Sequence, residues 1–107
     1  MDPSPVLSQR QILQQLLEDL LGTDSVYFQP PASLRMRYPC IVYNRDRINA
    51  TFADNRTYGR KTRYQVTYID QNPDSTIPDK IADLPLCVYN RFFTADNLNH
   101  DVFTLFF

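Results

Sequence analysis

The chain predicts an α+β fold, with a mainly antiparallel sheet packed by an N-terminal helix and a second short helix. Three observations lead there. Residues 8–21 carry a helical apolar period between two helix-ending signals, residues 63–70 alternate with period two, and the order along the chain runs helix, strands, helix, strands. At 107 residues, 43% hydrophobic and 21% charged, the composition suits one folded domain with a single core. Residues 1–6 are expected to be flexible.

In the first helix Ser8 serves as the cap, Gln11 completes a capping box, and Gly22 closes the C-terminal end. Ile12, Leu13, Leu16, Leu17, Leu20 and Leu21 recur as adjacent pairs four apart, which makes about half of the circumference apolar. Val26-Tyr27-Phe28 forms a short strand before Pro30-Pro31 interrupts. Tyr38-Pro39-Cys40-Ile41-Val42-Tyr43 reads as a fully buried strand with Pro39 at its start, where no ladder donor is missed. Residues 44–63 read as a long polar loop or an extended hairpin. The alternation that follows puts Tyr64, Val66 and Tyr68 on one face and Arg63, Gln65 and Thr67 on the other, as in a long antiparallel partner to the preceding strand.

Asn72-Pro73-Asp74 is a turn, after which Ser75 caps a short helix with Pro78 in its first turn. Ile77, Ile81 and Leu84 give this helix one buried stripe, and Pro85 ends it. Residues 86–93 and 101–107 finish the chain as strands joined by a loop of turn formers over 94–100. Val102, Phe103, Leu105 and Phe106 place the final strand beside 86–93 with both faces buried. Each buried phenylalanine is worth about 1.5–3 kcal/mol of transfer free energy. The apolar ending is therefore expected to be docked, with Phe107 the residue placed to reach a partner.

Little in the chain points to catalysis. Cys40 and Cys87 lie in apolar runs without CxxC spacing, which predicts reduced, structural thiols rather than a redox or zinc motif. His100, the single histidine, is far in sequence from either cysteine, and a structural role in its loop is the expectation. The aspartates fall at turns or on the polar face of the second helix, and two glycines, Gly22 and Gly59, make no phosphate-cradling loop. No enzyme, cofactor or metal is expected. The start of the chain has neither a basic n-region nor a long apolar h-region, and no stretch is apolar for the 18–20 or so residues of a membrane span, so folding in the cytosol without a membrane partner is expected.

Charge is segregated although the net charge is only −1. Arg45, Arg47, Arg56, Arg60, Lys61 and Arg63 stand against Asp46 and Asp54, whereas Asp70, Asp74, Asp79 and Asp83 stand against Lys80 alone. These are either solvated faces or the two halves of a head-to-tail contact in which each subunit presents both signs. Arg45, Arg47, Arg60, Lys61, Arg63, Asp79, Asp83 and Phe107 are the candidate interface residues. With Phe52, Tyr58 and Tyr64 interleaved, Arg56, Arg60, Lys61 and Arg63 also allow a small nucleic-acid-binding module.

Ile77-Pro78-Asp79-Lys80-Ile81-Ala82-Asp83-Leu84-Pro85, and then the stretch from Phe93 to Phe103, resemble small proteins of tailed-phage structural gene clusters. The similarity runs from about Arg37 onward, includes the apolar strand at 38–43 and Arg63-Tyr64-Gln65-Val66-Thr67, and is to the siphophage tail-terminator or tail-completion family. That resemblance implies a virion protein assembled in the host cytoplasm as a homo-oligomeric, six-fold ring at the head-proximal end of the tail. Its implied partners are the tail tube protein and the head-closure or connector proteins, with DNA only as cargo in the channel. Head-closure and minor capsid roles of the same connector are the neighbouring alternatives.

Overall fold

A computed structural model describes residues 7–50 and 61–107, the side chains of 47–50 excepted. Its elements are α1 (Gln9–Leu21), β1 (Val26–Phe28), β2 (Cys40–Ala50), β3 (Lys61–Asp70), α2 (Ile77–Ala82), β4 (Cys87–Ala95) and β5 (Leu98–Phe106). The strands form one sheet in the order β1-β2-β3-β5-β4. Only β1 runs parallel to its neighbour, and the other three pairings are antiparallel. This is the α+β architecture that the sequence predicts.

Helix α1 has the expected ends. Ser8 Oγ accepts the Gln11 N–H at 3.1 Å, Gln11 Oε1 accepts the Ser8 N–H at 2.9 Å, and Gly22, at φ 86°, donates its N–H to Glu18 at 2.8 Å. The apolar half of the circumference is not buried evenly. Leu13 and Leu17 are fully enclosed, Leu16, Leu20 and Leu21 pack at the margin, and Ile12 is 41% exposed. A single helix on a twisted sheet covers one stripe, so the outer member of each apolar pair is left at its edge.

The core lies between the sheet and the two helices, where Ile41, Tyr43, Tyr64, Val66, Tyr68, Phe103 and Leu105 meet Leu13, Leu17 and Ile81. Ile77 and Leu84 join it as the predicted stripe of α2. Thr76, not Ser75, occupies the capping position of α2 and makes no side-chain cap. Ser75 Oγ instead accepts the Ile77 N–H at 3.2 Å from one residue further out. On the opposite face a smaller cluster of Cys40, Ile69 and Leu98 is covered by Tyr27, Met36 and Val42.

Of the two readings of 44–63 the extended hairpin holds for the described residues, and two other expectations are corrected. Strand β2 continues past Tyr43 to Ala50 and β3 begins at Lys61, so the described parts of 44–63 are hairpin arms rather than loop, with two register shifts between Arg45 and Ala50. Residues 51–60 lie outside the described residues, as do 1–6. The loop expected over 94–100 is a two-residue turn: Ala95 pairs with Leu98, and Asp96 and Asn97 take φ 53° and 64°, the left-handed conformation of a hairpin turn that Asn and Asp tolerate. His100 therefore sits in β5, stacked on Phe93 at 4.5 Å with Nδ1 3.2 Å from the Leu98 carbonyl. Finally, β4 is an edge strand with all but Cys87 exposed, whereas β5 beside it holds Val102, Phe103 and Leu105 buried and Phe106 half-buried.

Candidate subunit interface

Strands β2 and β3 form a ladder whose two ends differ in charge. At one end Ala50 pairs with Lys61 and Arg47 with Arg63, and at the other Cys40 pairs with Ile69 next to Asp70. At about 3.3 Å per residue, Lys61 and Asp70 stand roughly 30 Å apart along β3. Arg45 is exposed, and its backbone N–H donates to Gln29 Oε1 at 3.1 Å. Arg63 Nε lies 2.9 Å from Asp46 Oδ2, an ion pair without hydrogen-bond alignment. One of the predicted basic residues is thus neutralised within its own hairpin. Lys61 is half-buried at the mouth of an apolar cavity, the Arg47 side chain is outside what the structure describes, and Arg56 and Arg60 fall among the undescribed residues.

The acidic end is built from β3, the turn after it, α2 and β5. Asp70 Oδ2 accepts the Tyr68 hydroxyl at 2.6 Å and Oδ1 accepts the Asn72 N–H at 3.0 Å, and Asn72 Oδ1 in turn accepts the Asp74 N–H at 3.0 Å. These turn bonds hold Asp70 and Asp74 at the end of the sheet. A cavity of about 340 Å³ lies beside them, lined by Tyr68, Asp70, Ser75, Asp79, Phe92 and Asp101. Asp79 on α2 and Asp83 at its C-cap are exposed, as expected for a surface that meets another molecule or water. Asp101, whose Oδ1 accepts the Tyr89 hydroxyl at 3.1 Å, joins this end although charge segregation along the chain does not group it with Asp70 to Asp83. Its pairing opposite both Tyr68 and Phe92 would have been visible only with the strand register in hand.

Phe107 is spent on its own fold. It is half-buried against the core, its N–H donates to the Thr62 carbonyl at 3.0 Å, and with Leu16, Leu84, Leu86 and Phe106 it lines an apolar cavity of about 200 Å³. The outward reach expected of it is replaced by exposed apolar residues on β4, namely Val88, Tyr89, Phe92 and Phe93. The sequence signal for these was weak, because Val88-Tyr89-Asn90-Arg91-Phe92-Phe93 reads as a mostly apolar run. Only Asn90 and Arg91 within it hint at solvent.

Burial favours the neutral forms of Tyr68 and both cysteines. Burial, and then the hydrogen bond to Asp70, push the Tyr68 hydroxyl up to about 12, and burial pushes both thiols up to about 11, that of Cys40 with help from Asp70. Neutral thiols are poor nucleophiles. Among the described residues no group of three His, Cys, Asp or Glu side chains is placed to hold a metal ion, and no helix is long and apolar enough to cross a membrane. What the geometry offers is a polarised domain: a basic hairpin, an acidic end and an apolar strand edge. No family model, no curated protein and no solved structure matches the chain.

Proposed function

We propose that this chain is a structural, non-enzymatic subunit of a tailed-phage virion, a tail-terminator or tail-completion protein. It forms a homo-oligomeric ring at the head-proximal end of the tail, between the tail tube protein and the head connector, with DNA only as cargo. The observation that carries this reading is the placement of opposite charge at the two ends of β3. The basic and acidic ends are about 30 Å apart along one strand and do not meet within one chain. A neighbour can bring them together, and a head-to-tail contact of this kind generates a ring when its rotation closes. The resemblance of residues 77–85 and 93–103 to the tail-terminator family supplies the location.

Charge exchange tests the assembly. Arg45→Glu and Asp79→Lys, both at exposed positions, are each expected to abolish the ring without altering the thermal melt, and the double variant to restore it. Mass measurement alone and with tail tube protein reads the outcome. Unchanged assembly in both single variants at physiological salt overturns the proposal. Imaging of the subunit at the capsid vertex instead of the tail end would assign it to head closure or the minor capsid role. Salt-dependent binding to free DNA would favour the nucleic-acid module.

A further inference from the structure

The two edge strands of the sheet differ in length and in how far their outward groups are taken. Strand β1 has only three residues, and the outward-facing groups of Val26 are taken within the chain: its N–H donates to Asp24 at 2.8 Å and its carbonyl accepts Gln14 Nε2 at 2.9 Å. Strand β4 has nine residues, pairs with β5 on one side, and has no partner on the other among the described residues. Counting back from the Ala95–Leu98 pair that closes the turn, Phe92 and Thr94 direct their N–H and C=O groups to that open side.

The side chains on this edge are apolar on both faces of the sheet. Val88 is 59% exposed and Phe93 39% on the face away from the helices, and Tyr89 is 44% and Phe92 53% exposed on the other. A surface that docks another face would be apolar on one side only. Exposure on both sides of a single strand fits continuation of the sheet by a further strand. Natural edges are usually blunted by lysine, proline or inward-facing charge, yet β4 carries one charge, Arg91, whose guanidinium lies over the Phe93 ring at 5.5 Å.

We infer that the open edge of β4 pairs with β4 of a second copy of this chain, antiparallel across a two-fold axis at Phe93. The arm of β2 beyond Tyr43, which β1 leaves uncovered, carries Arg45, Asp46 and Arg47, charges that blunt an edge, so β4 is the long apolar edge that a copy can offer among the described residues. Centring on Phe93 uses the regular stretch after the irregularity at Asn90 and joins Phe92 of each copy to Thr94 of the other by main-chain hydrogen bonds. It sets the two Phe93 rings side by side and puts Arg91 opposite Ala95, avoiding the like-charge pair that an axis at Arg91 would create. Taking about 150–250 Å² per aromatic side chain, the three rings of each copy leave roughly 200–350 Å² in water. Two copies thus bring up to about half of the roughly 1,200 Å² buried by the smallest specific interfaces, so the pairing is concentration-dependent. This contact is distinct from the charged head-to-tail contact and does not rest on the ring reading.

Cross-linking and mass decide it. Opposed residues of an antiparallel pair lie about 4.5–5.5 Å apart, within disulfide range, so Phe93→Cys is expected to give disulfide-linked dimers on mild oxidation. Val88→Cys, at a more exposed position, places its two copies about 34 Å apart and is expected to give none. Phe92→Pro, which removes an outward N–H, and Phe92→Lys, which keeps the backbone intact should proline disturb the fold, are expected to lower the mass by a factor of two with the Arg45→Glu background unchanged. Equal cross-linking of both cysteine variants, or of neither, overturns the inference. So does a wild-type mass that ignores both Phe92 substitutions, or a chain monomeric at its highest soluble concentration.

Discussion

Tyr43 is the point at which the first helix is fastened to the sheet, and Tyr43→Phe measures that attachment. Its ring is fully buried, 4.9 Å from Phe28 and 5.8 Å from Tyr64, and these contacts survive the substitution. The hydroxyl donates to Gln14 Oε1 at 2.6 Å and accepts from an Arg10 guanidinium nitrogen at 3.1 Å, so two hydrogen bonds between α1 and β2 are lost. At about 0.5–1.5 kcal/mol each the loss spans roughly 1–3 kcal/mol. Gln14 and Arg10 are half-buried and regain water, which sets the expectation near 1–2 kcal/mol. For a domain of about this size that is a fall in Tm of roughly 5–12 °C. Urea melts of Tyr43→Phe, Gln14→Ala and the double variant form a cycle that isolates the hydroxyl–amide pair from the other bonds of Gln14. A destabilisation below about 0.5 kcal/mol, or single-variant losses that simply add, would refute the claim that this contact holds the helix down.

Two further outcomes follow from the same packing. Removing Phe106 and Phe107 deletes two half-buried rings and the Phe107–Thr62 hydrogen bond, so thermal melting should fall by the equivalent of about 2–5 kcal/mol even in the monomer. An unchanged monomer melt would place those rings on a neighbour instead. Alkaline stability should fall in two stages in the presence of reductant. A folded-state pKa above the unfolded value means that stability is full below the unfolded value and is lost as pH rises toward the folded one. The thiols, raised from 9.0 to about 11, open the loss, and Tyr68, raised from 10.0 to about 12, extends it. Tyr68→Phe should flatten the curve between pH 10 and 12 and leave the part from the thiols, which denaturant melts across that range would show.

The parts of the fold that were legible in the sequence are those where local chemistry and burial agree. Ser8, Gln11 and Gly22 mark α1 because capping is a short-range hydrogen-bond pattern, and Tyr64, Val66 and Tyr68 mark the inner face of β3 because only that face meets the helices. The extension of β2 to Ala50 stood as only one of two readings because Asn44, Arg45 and Asp46 extend beyond the core, where backbone pairing sustains a strand that composition does not announce. Asp96-Asn97 was concealed among the other turn formers of 94–100, since the left-handed backbone that makes it a hairpin turn is permitted rather than demanded by those residues. The candidate interface was half visible. Asp79 and Asp83 lie where charge segregation put them, but the Arg63–Asp46 pair, the docking of Phe107 and the exposure of β4 all depend on which strand lies beside which, information that no run of neighbouring residues contains.

The strand order also divides the folding problem. Pairs β2–β3 and β4–β5 join segments adjacent in the chain, the second across two residues, while β3–β5 joins segments separated by the whole of α2 and β4. Two hairpins can form on local timescales, and the entropy of closing the long loop falls on a single seam where Val66 meets Phe103 and Tyr64 meets Leu105. Those four side chains are all in the main core, so the reward for closing the seam arrives at the moment its cost is incurred. Substitutions along the β3–β5 seam are therefore expected to slow folding, and those at attachments of the helix such as Tyr43 to speed unfolding, which chevron plots of the two classes of variant would read.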